Sequence, residues 1–219
     1  MSDQTVEAKT SEFALMNQLP DSSIQGESPL HHVGFETLAE HGPKTGGVVL
    51  RELKLLGHLT LRCNPESKEQ LTAAKKILGV DLPLAPLTSD EKDGVSVRWI
   101  APDEWLILVP GDKAYSIEAS FRNNMPGHYS IVNSSGGSTV LQVSGDQVVD
   151  MLKRCTPVDL HIKEFPVGKV VSTVFAKSGA VIRRTGNTQF ELVIRRSFAD
   201  YIWLWIQDAS QSFGLVIEK

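Results

Sequence analysis

The sequence is poor in the residues that announce chemistry. Its 219 residues include only two cysteines, Cys63 and Cys155, far apart and without CxxC spacing. That pattern reads as two reduced, mostly buried thiols in a cytosolic protein, and nothing in it demands a disulfide. There is no GxGxxG after a strand, no GxxxxGK[ST], no GxSxG and no HExxH, so the common phosphate, nucleophile-elbow and zinc-protease motifs are absent. No apolar run approaches the ~20 residues a membrane span needs. A basic surplus is missing too, since the net charge is −4, which argues against nucleic-acid binding driven by overall charge.

What remains is the composition of an ordinary globular chain, 41% hydrophobic and 22% charged, long enough for one large domain or two small ones. The first 27 residues have no basic start and no long apolar core. They do not read as a secretory signal. Asp3, Glu7, Glu12, Asp21 and Glu27 against Lys9 make them an acidic extension, loosely ordered on its own. The short "FALMNQL" within it could dock on a partner.

The globular part runs over residues 28–219. It opens on "SPLHHVGF", where adjacent histidines in an extended stretch would point to opposite sides and so make a poor metal pair. "GVVLRELKLLGHLTLRC" alternates polar and apolar residues and bends at Gly57, which reads as strand, bend, strand. "SKEQLTAAKKILGV" reads as a helix, with Ser67 and Gln70 as a capping box and Gly79 as the stop. "DLPLAPLTSDEKDG" reads as a charged, proline-rich loop. Residues 95–100 and 105–109 form a strand pair around the turn "APDE", flanked by Trp99 and Trp105. Residues 112–125 form a second helix. "SSGGS" (134–138) reads as a hairpin turn between two strands rather than a phosphate cradle. Ser144 and Gln147 suggest another capping box, for the helix in "DQVVDMLKRC". Three strands and an aromatic helix close the chain.

Many adjacent strands with short links favour antiparallel sheets covered by helices, an α+β fold. Two halves of similar layout, about 46–128 and 129–219, serve as subdomains. No carboxylate or histidine pair has a spacing that identifies a general base. Asp159, near His161 in a proline-bounded connection, is read as closing a turn. No catalytic, cofactor or metal residue is assigned.

The closing stretch "FELVIRRSFADYIWLWIQ" (190–207) carries the sharpest signal. It places Tyr201, Trp203 and Trp205 within five residues of a chain that is 7% aromatic. Ser197 is the expected N-cap, with Asp200 three residues on. On a helical wheel Phe198, Tyr201, Ile202, Trp205, Ala209 and Phe213 form one stripe, and Trp203 and Ile206 widen it. Leu204 lies on the polar face with Asp200, Gln207 and Gln211. A helix packing on its own core needs a stripe of roughly 100°, and this one covers about twice that. Burial on both sides, an obligate partner, or stacking by single-stranded nucleic acid would each account for the excess. The last needs a positive groove, for which only Arg183, Arg184, Arg195 and Arg196 are available, beside Glu191 and Asp200. A partner surface made of Tyr201, Trp203, Leu204, Ile206, Arg195 and Arg196 is the preferred reading.

Across residues 28–219 the sequence resembles the gamma subunit family of heterotetrameric sarcosine oxidase. The resemblance rests on "CTPVDLH", "FPVGKVVSTVFAK" and "FELVIRRSFADYIWLWI", with weaker support from "SPLHHVGF" and "APDEWLIL". It implies a fold related to the folate-binding domain of glycine-cleavage aminomethyltransferases. It implies a cytoplasmic complex with alpha, beta and delta subunits that oxidatively demethylates sarcosine to glycine, forming hydrogen peroxide and, with tetrahydrofolate, methylenetetrahydrofolate. FAD, FMN and NAD are then expected in the larger subunits and zinc in the delta subunit. None is expected in this chain, which would be an accessory, non-catalytic part with neither nucleic acid nor membrane as partner. The alternatives are a stand-alone folate-binding protein or aminomethyltransferase-like enzyme, and a subunit of a related N-methyl amino-acid demethylase.

Overall fold

The computed structural model describes residues 25–219, so "FALMNQL" and most of the acidic extension lie outside the described residues. The elements are α1 (Phe35–His41), β1 (Val48–Leu53), β2 (Gly57–Arg62), α2 (Lys68–Leu78), β3 (Ser89–Lys92), β4 (Val95–Ala101), β5 (Glu104–Val109), α3 (Ala114–Asn124), β6 (Ser130–Asn133), β7 (Ser138–Ser144), α4 (Val148–Leu152), β8 (Val170–Phe175), β9 (Ser178–Gly186), β10 (Gln189–Arg195), α5 (Ala199–Ser210) and β11 (Leu215–Ile217).

The strands form a five-stranded sheet, β3-β4-β5-β2-β6, and a six-stranded sheet, β11-β1-β7-β10-β9-β8. All neighbours pair antiparallel except β1 with β11. The expected α+β class with helix-covered antiparallel sheets is what the chain adopts. Strand alternation explains the layering. Leu59, Leu61, Val97, Trp105 and Ile107 face a core shared with Ala74, Leu78 and Phe121 of α2 and α3. Leu141, Val143, Ile182, Phe190 and Leu192 face a larger core shared with α1, α4 and α5. The alternate residues, among them Leu108, Val140 and Val193, meet between the two sheets in a smaller apolar cluster.

The order β2-α2-β3-β4-β5-α3-β6 repeats as β7-α4-β8-β9-β10-α5-β11. β6 pairs directly with β2, whereas β1 is inserted between β7 and β11. The first strand of the chain therefore serves the sheet built mostly from its second half. That arrangement overturns the reading of "SSGGS" as a hairpin turn. β6 and β7 lie in different sheets, joined by a 3-10 turn at Ser135–Gly137. It also makes the bend after β1 a crossover, with Leu55 in the left-handed region at φ 56°.

Local signals fared unevenly. Ser67 caps α2, accepting from the Gln70 amide at 3.3 Å. The Gln70 side chain does not return to Ser67. It accepts from the Asn64 amide at 2.8 Å and donates to the carbonyls of Pro126 and His128. Ser144 ends β7 and caps nothing, because the chain turns instead at Gly145, with φ 115° and Gly47 O only 2.4 Å from where a Cβ would sit. Ser197 lies inside a 3-10 turn, Arg196–Phe198, and α5 starts without a side-chain cap. The charged segment read as a loop contains β3, and the chain ends on β11 rather than on its aromatic helix.

The closing helix and the cleft between the sheets

The structure divides the six residues of the expected partner surface. Trp203 is 5% exposed and Ile206 is fully buried, so these two are not available to a partner. The buried face of α5 is Ala199, Ile202, Trp203, Ile206, Ala209 and Ser210. The reason is an element the sequence reading did not see. The short helix α1 places Phe35 against the indole of Trp203, ring centres 5.1 Å apart at 74°, an edge-on pair. The wide stripe is thus covered on one side by the sheet and on the other by α1. Tyr201 and Trp205, rings 5.9 Å apart, are half-buried at the margin. Leu204 remains 55% exposed, and Arg195 and Arg196 are exposed at the start of the turn into the helix. His32, one of the adjacent pair set aside as a metal site, meets Asp200 of α5 at 3.0 Å.

Arg183 and Arg184, half of the cations a nucleic-acid groove would draw on, are buried and engaged internally. Arg184 donates to the carbonyls of Leu160 and Phe165 at 3.1 and 2.9 Å and lies 4.9 Å over the Phe190 ring, which holds the 157–168 connection onto the sheet. In that connection Asp159 accepts from the His161 amide at 2.9 Å, the turn-closing role expected of it.

Arg183 belongs to an ionic junction that joins the two sheets. Arg98 of β4, 1% exposed, is paired with Glu191 of β10, and Arg183 of β9 is paired with Glu91 of β3 and lies 3.6 Å from Glu191. Ser96 and Ser89 accept from these guanidinium groups at 2.8–3.3 Å. Burial draws Arg98 down to about 10, partly offset by Glu191, so it stays charged at neutral pH. Alternation along β4, β9 and β10 puts these residues on the inner faces, where no sequence spacing announces a cross-sheet pair.

Beside the junction, residues of both sheets line a cleft of about 540 Å³. His58 of β2 forms part of its wall. The backbone of His58 is fixed by the 134–135 turn: its amide donates to Ser135 Oγ at 3.1 Å and its carbonyl accepts from the Ser134 amide at 2.8 Å. Its ring is 1% exposed, and both ring nitrogens lack a hydrogen-bond partner. Burial, with the nearby Arg98 charge, pushes the imidazole down to about 4, so it is neutral at physiological pH. Lys177, Arg195, Ser134 and Ser138 also line the cleft, and none of its lining residues is Asp or Glu. Among the described residues no group of His, Cys, Asp and Glu is arranged to hold a metal ion. No helix among them is long and apolar enough to cross a membrane.

Comparison with known proteins places this architecture. The curated "Sarcosine oxidase subunit gamma" of an Arthrobacter species is 29% identical over 200 residues, covering 90% of this chain and 96% of the relative. The protein of the same description from Corynebacterium strain P-1 is 28% identical over the same length. A chain of the heterotetrameric sarcosine oxidase from Corynebacterium sp. U-96, solved with pyrrole 2-carboxylate, superposes with a TM-score of 0.75 at 26% identity, covering 85% of this chain and 95% of that one. Aminomethyltransferase T of the glycine cleavage system from Bartonella henselae, at 12% identity and a TM-score of 0.61, shares the fold over 81% of this chain and 56% of its own. The family model described as "Sarcosine oxidase, gamma subunit family" matches residues 65–212, from the lead into α2 to the end of α5, and the chain belongs to that family.

Proposed function

We propose that this chain is the gamma subunit of a heterotetrameric sarcosine oxidase, a structural component that completes the assembly while the other subunits carry the oxidative demethylation of sarcosine. The observation that carries the reading is the match to 95% of a chain from such an enzyme at a TM-score of 0.75. The partners are the alpha, beta and delta subunits. FAD, FMN, NAD and zinc are assigned to those subunits, together with the transfer to tetrahydrofolate.

Docking is assigned to the outer margin of α5, where Leu204 is 55% exposed between the half-buried Tyr201 and the exposed pair Arg195 and Arg196. Tyrosine and arginine are among the residue types enriched at interfaces, and here they flank an exposed apolar side chain. The acidic extension and the split between sarcosine and related N-methyl amino acids fall to the assembled enzyme. Co-expression with the large subunits followed by gel filtration tests the proposal. A stoichiometric complex that consumes sarcosine and oxygen is expected. A soluble monomer eluting apart from the large subunits, which oxidise sarcosine just as well without it, would overturn it.

A further inference from the structure

We infer that the docking surface on α5 continues across the β8–β9 turn to the end of α4 as a strip of cations, and that this strip takes an acidic segment of a large subunit. The inference rests on the assembly reading above and adds what the partner must carry. Lys153 and Arg154 follow α4, Lys177 sits in the β8–β9 turn, and Arg195 and Arg196 lead into α5. All five are exposed. Lys177 links the two ends. It lines a hollow of about 320 Å³ together with Lys153, Arg154 and Trp205, and it lines the inter-sheet cleft together with Arg195 and Phe198.

The fold fixes these cations in place. The Ala176 amide donates to the Cys155 carbonyl at 2.7 Å, which pins the β8–β9 turn to the end of α4. Ala176 takes φ 52° in that turn, a left-handed conformation uncommon for a residue with a Cβ. Arg154 donates to the Ala209 carbonyl at 3.1 Å and lies 4.3 Å from the centre of the Phe213 ring, so it is tied to the far end of α5. Groups positioned before binding lose less freedom on docking.

Charge decides the partner. The chain carries a net charge of −4, yet no Asp or Glu lines either the hollow or the cleft. Of the five cations, Lys153 alone forms an ion pair among the described residues, with Asp150 at 3.0 Å. The strip therefore presents positive charge to solvent, which favours a negative surface opposite and speeds its approach. Phe198, 39% exposed, and Leu204, 55% exposed, add apolar surface beside it. A protein surface with carboxylates around apolar side chains matches both features. Nucleic acid matches less well, because Arg183 and Arg184, which would extend a phosphate track, are buried.

The test follows binding of the full chain to the immobilised large subunits at low and high salt. Lys153→Glu/Lys177→Glu should keep the parent's urea midpoint and slow association about tenfold at low salt, with the gap closing at high salt. Lys153→Arg/Lys177→Arg should associate at the parent rate. Equal rates for the parent and the glutamate variant at every salt concentration overturn the inference and leave the assembly reading standing. A parent chain that does not bind at all overturns both. A gap that disappears when Asp3, Glu7, Glu12 and Asp21 are changed to their amides in the full chain would give the strip to the chain's own acidic extension, and overturn the inference. A single-stranded oligonucleotide that binds the parent but not the glutamate variant would do the same in favour of nucleic acid.

Discussion

Truncating neighbouring residues of the closing helix should separate folding from assembly. Trp203 is 5% exposed and packed edge-on against Phe35 at 5.1 Å. Removing a buried aromatic to alanine costs about 3–5 kcal/mol, through lost burial and the cavity left behind. About 0.5–1.5 kcal/mol of that belongs to the ring pair itself. Domain stabilities are about 5–15 kcal/mol, so Trp203→Ala should remove a third or more of the total. Leu204, one position along, keeps 55% of its surface in water. Leu204→Ala should therefore change stability by no more than about 0.5 kcal/mol. Urea unfolding of the isolated chain reads the first quantity, and the yield of complex on co-expression reads the second. Trp203→Ala should lower the midpoint strongly and reduce assembly only as far as it reduces folded chain. Leu204→Ala should leave the midpoint and reduce assembly. A double-mutant cycle between Phe35→Leu and Trp203→Leu should return a coupling of about 0.5–1.5 kcal/mol. An unchanged midpoint for Trp203→Ala would refute the assignment of that ring to the core.

The ionic junction between the sheets makes an asymmetric prediction. Glu191→Met leaves buried Arg98 without its carboxylate and should cost about 3–5 kcal/mol, more than Arg98→Met, after which Glu191 still has Arg183 at 3.6 Å; urea midpoints of the two variants decide the order. His58 ties stability to pH. Its folded value of about 4 lies below the unfolded value, so the unfolded state binds the proton first and stability falls as pH drops from about 6.5 to 4, by up to about 3 kcal/mol. His58→Leu should flatten that part of the pH–stability curve, and an unchanged slope would place the titration elsewhere. Burial raises Cys63 to about 11 and Cys155 to about 12, so neither thiol should react with Ellman's reagent until the chain is unfolded. Ser67→Ala should lower stability by about 1 kcal/mol through the lost cap on α2, measured by the same urea titration.

The elements that can be read from sequence are those with strong local periodicity. The α2 helix, the β4–β5 hairpin and the β8–β9–β10 run all stand where the alternation of apolar residues and the turn chemistry place them. The α1 helix is seven residues long and draws its order from Phe35 on Trp203, a contact 168 positions apart that no local window contains. β3 reads "SDEK", with three of its four residues exposed, and its place comes from pairing with β4 rather than from its own propensity. Sheet membership was equally hidden. β1 and β2 are successive strands that part into different sheets at Leu55.

The site was less legible still. A helical wheel identifies a wide apolar stripe on α5 but not which of its margins another segment covers, and Trp203 and Ile206 fell on the covered side. The cleft was invisible because its lining comes from β2, β5, β7, β8, β9 and β10 and from the segments that connect them, so no local stretch of sequence contains it. His58, between Gly57 and Leu59 at the start of β2, carries no spacing that distinguishes a core histidine from one lining a cavity.

Hydroxyl-radical footprinting of the chain, free and in the oxidase reconstituted with the large subunits, tests most directly whether the outer margin of α5 is where it joins the enzyme. Leu204 should be labelled in the free chain and protected in the complex, while Trp203 is protected in both. Equal labelling of Leu204 in the two states, with protection falling on another face, would contradict the account.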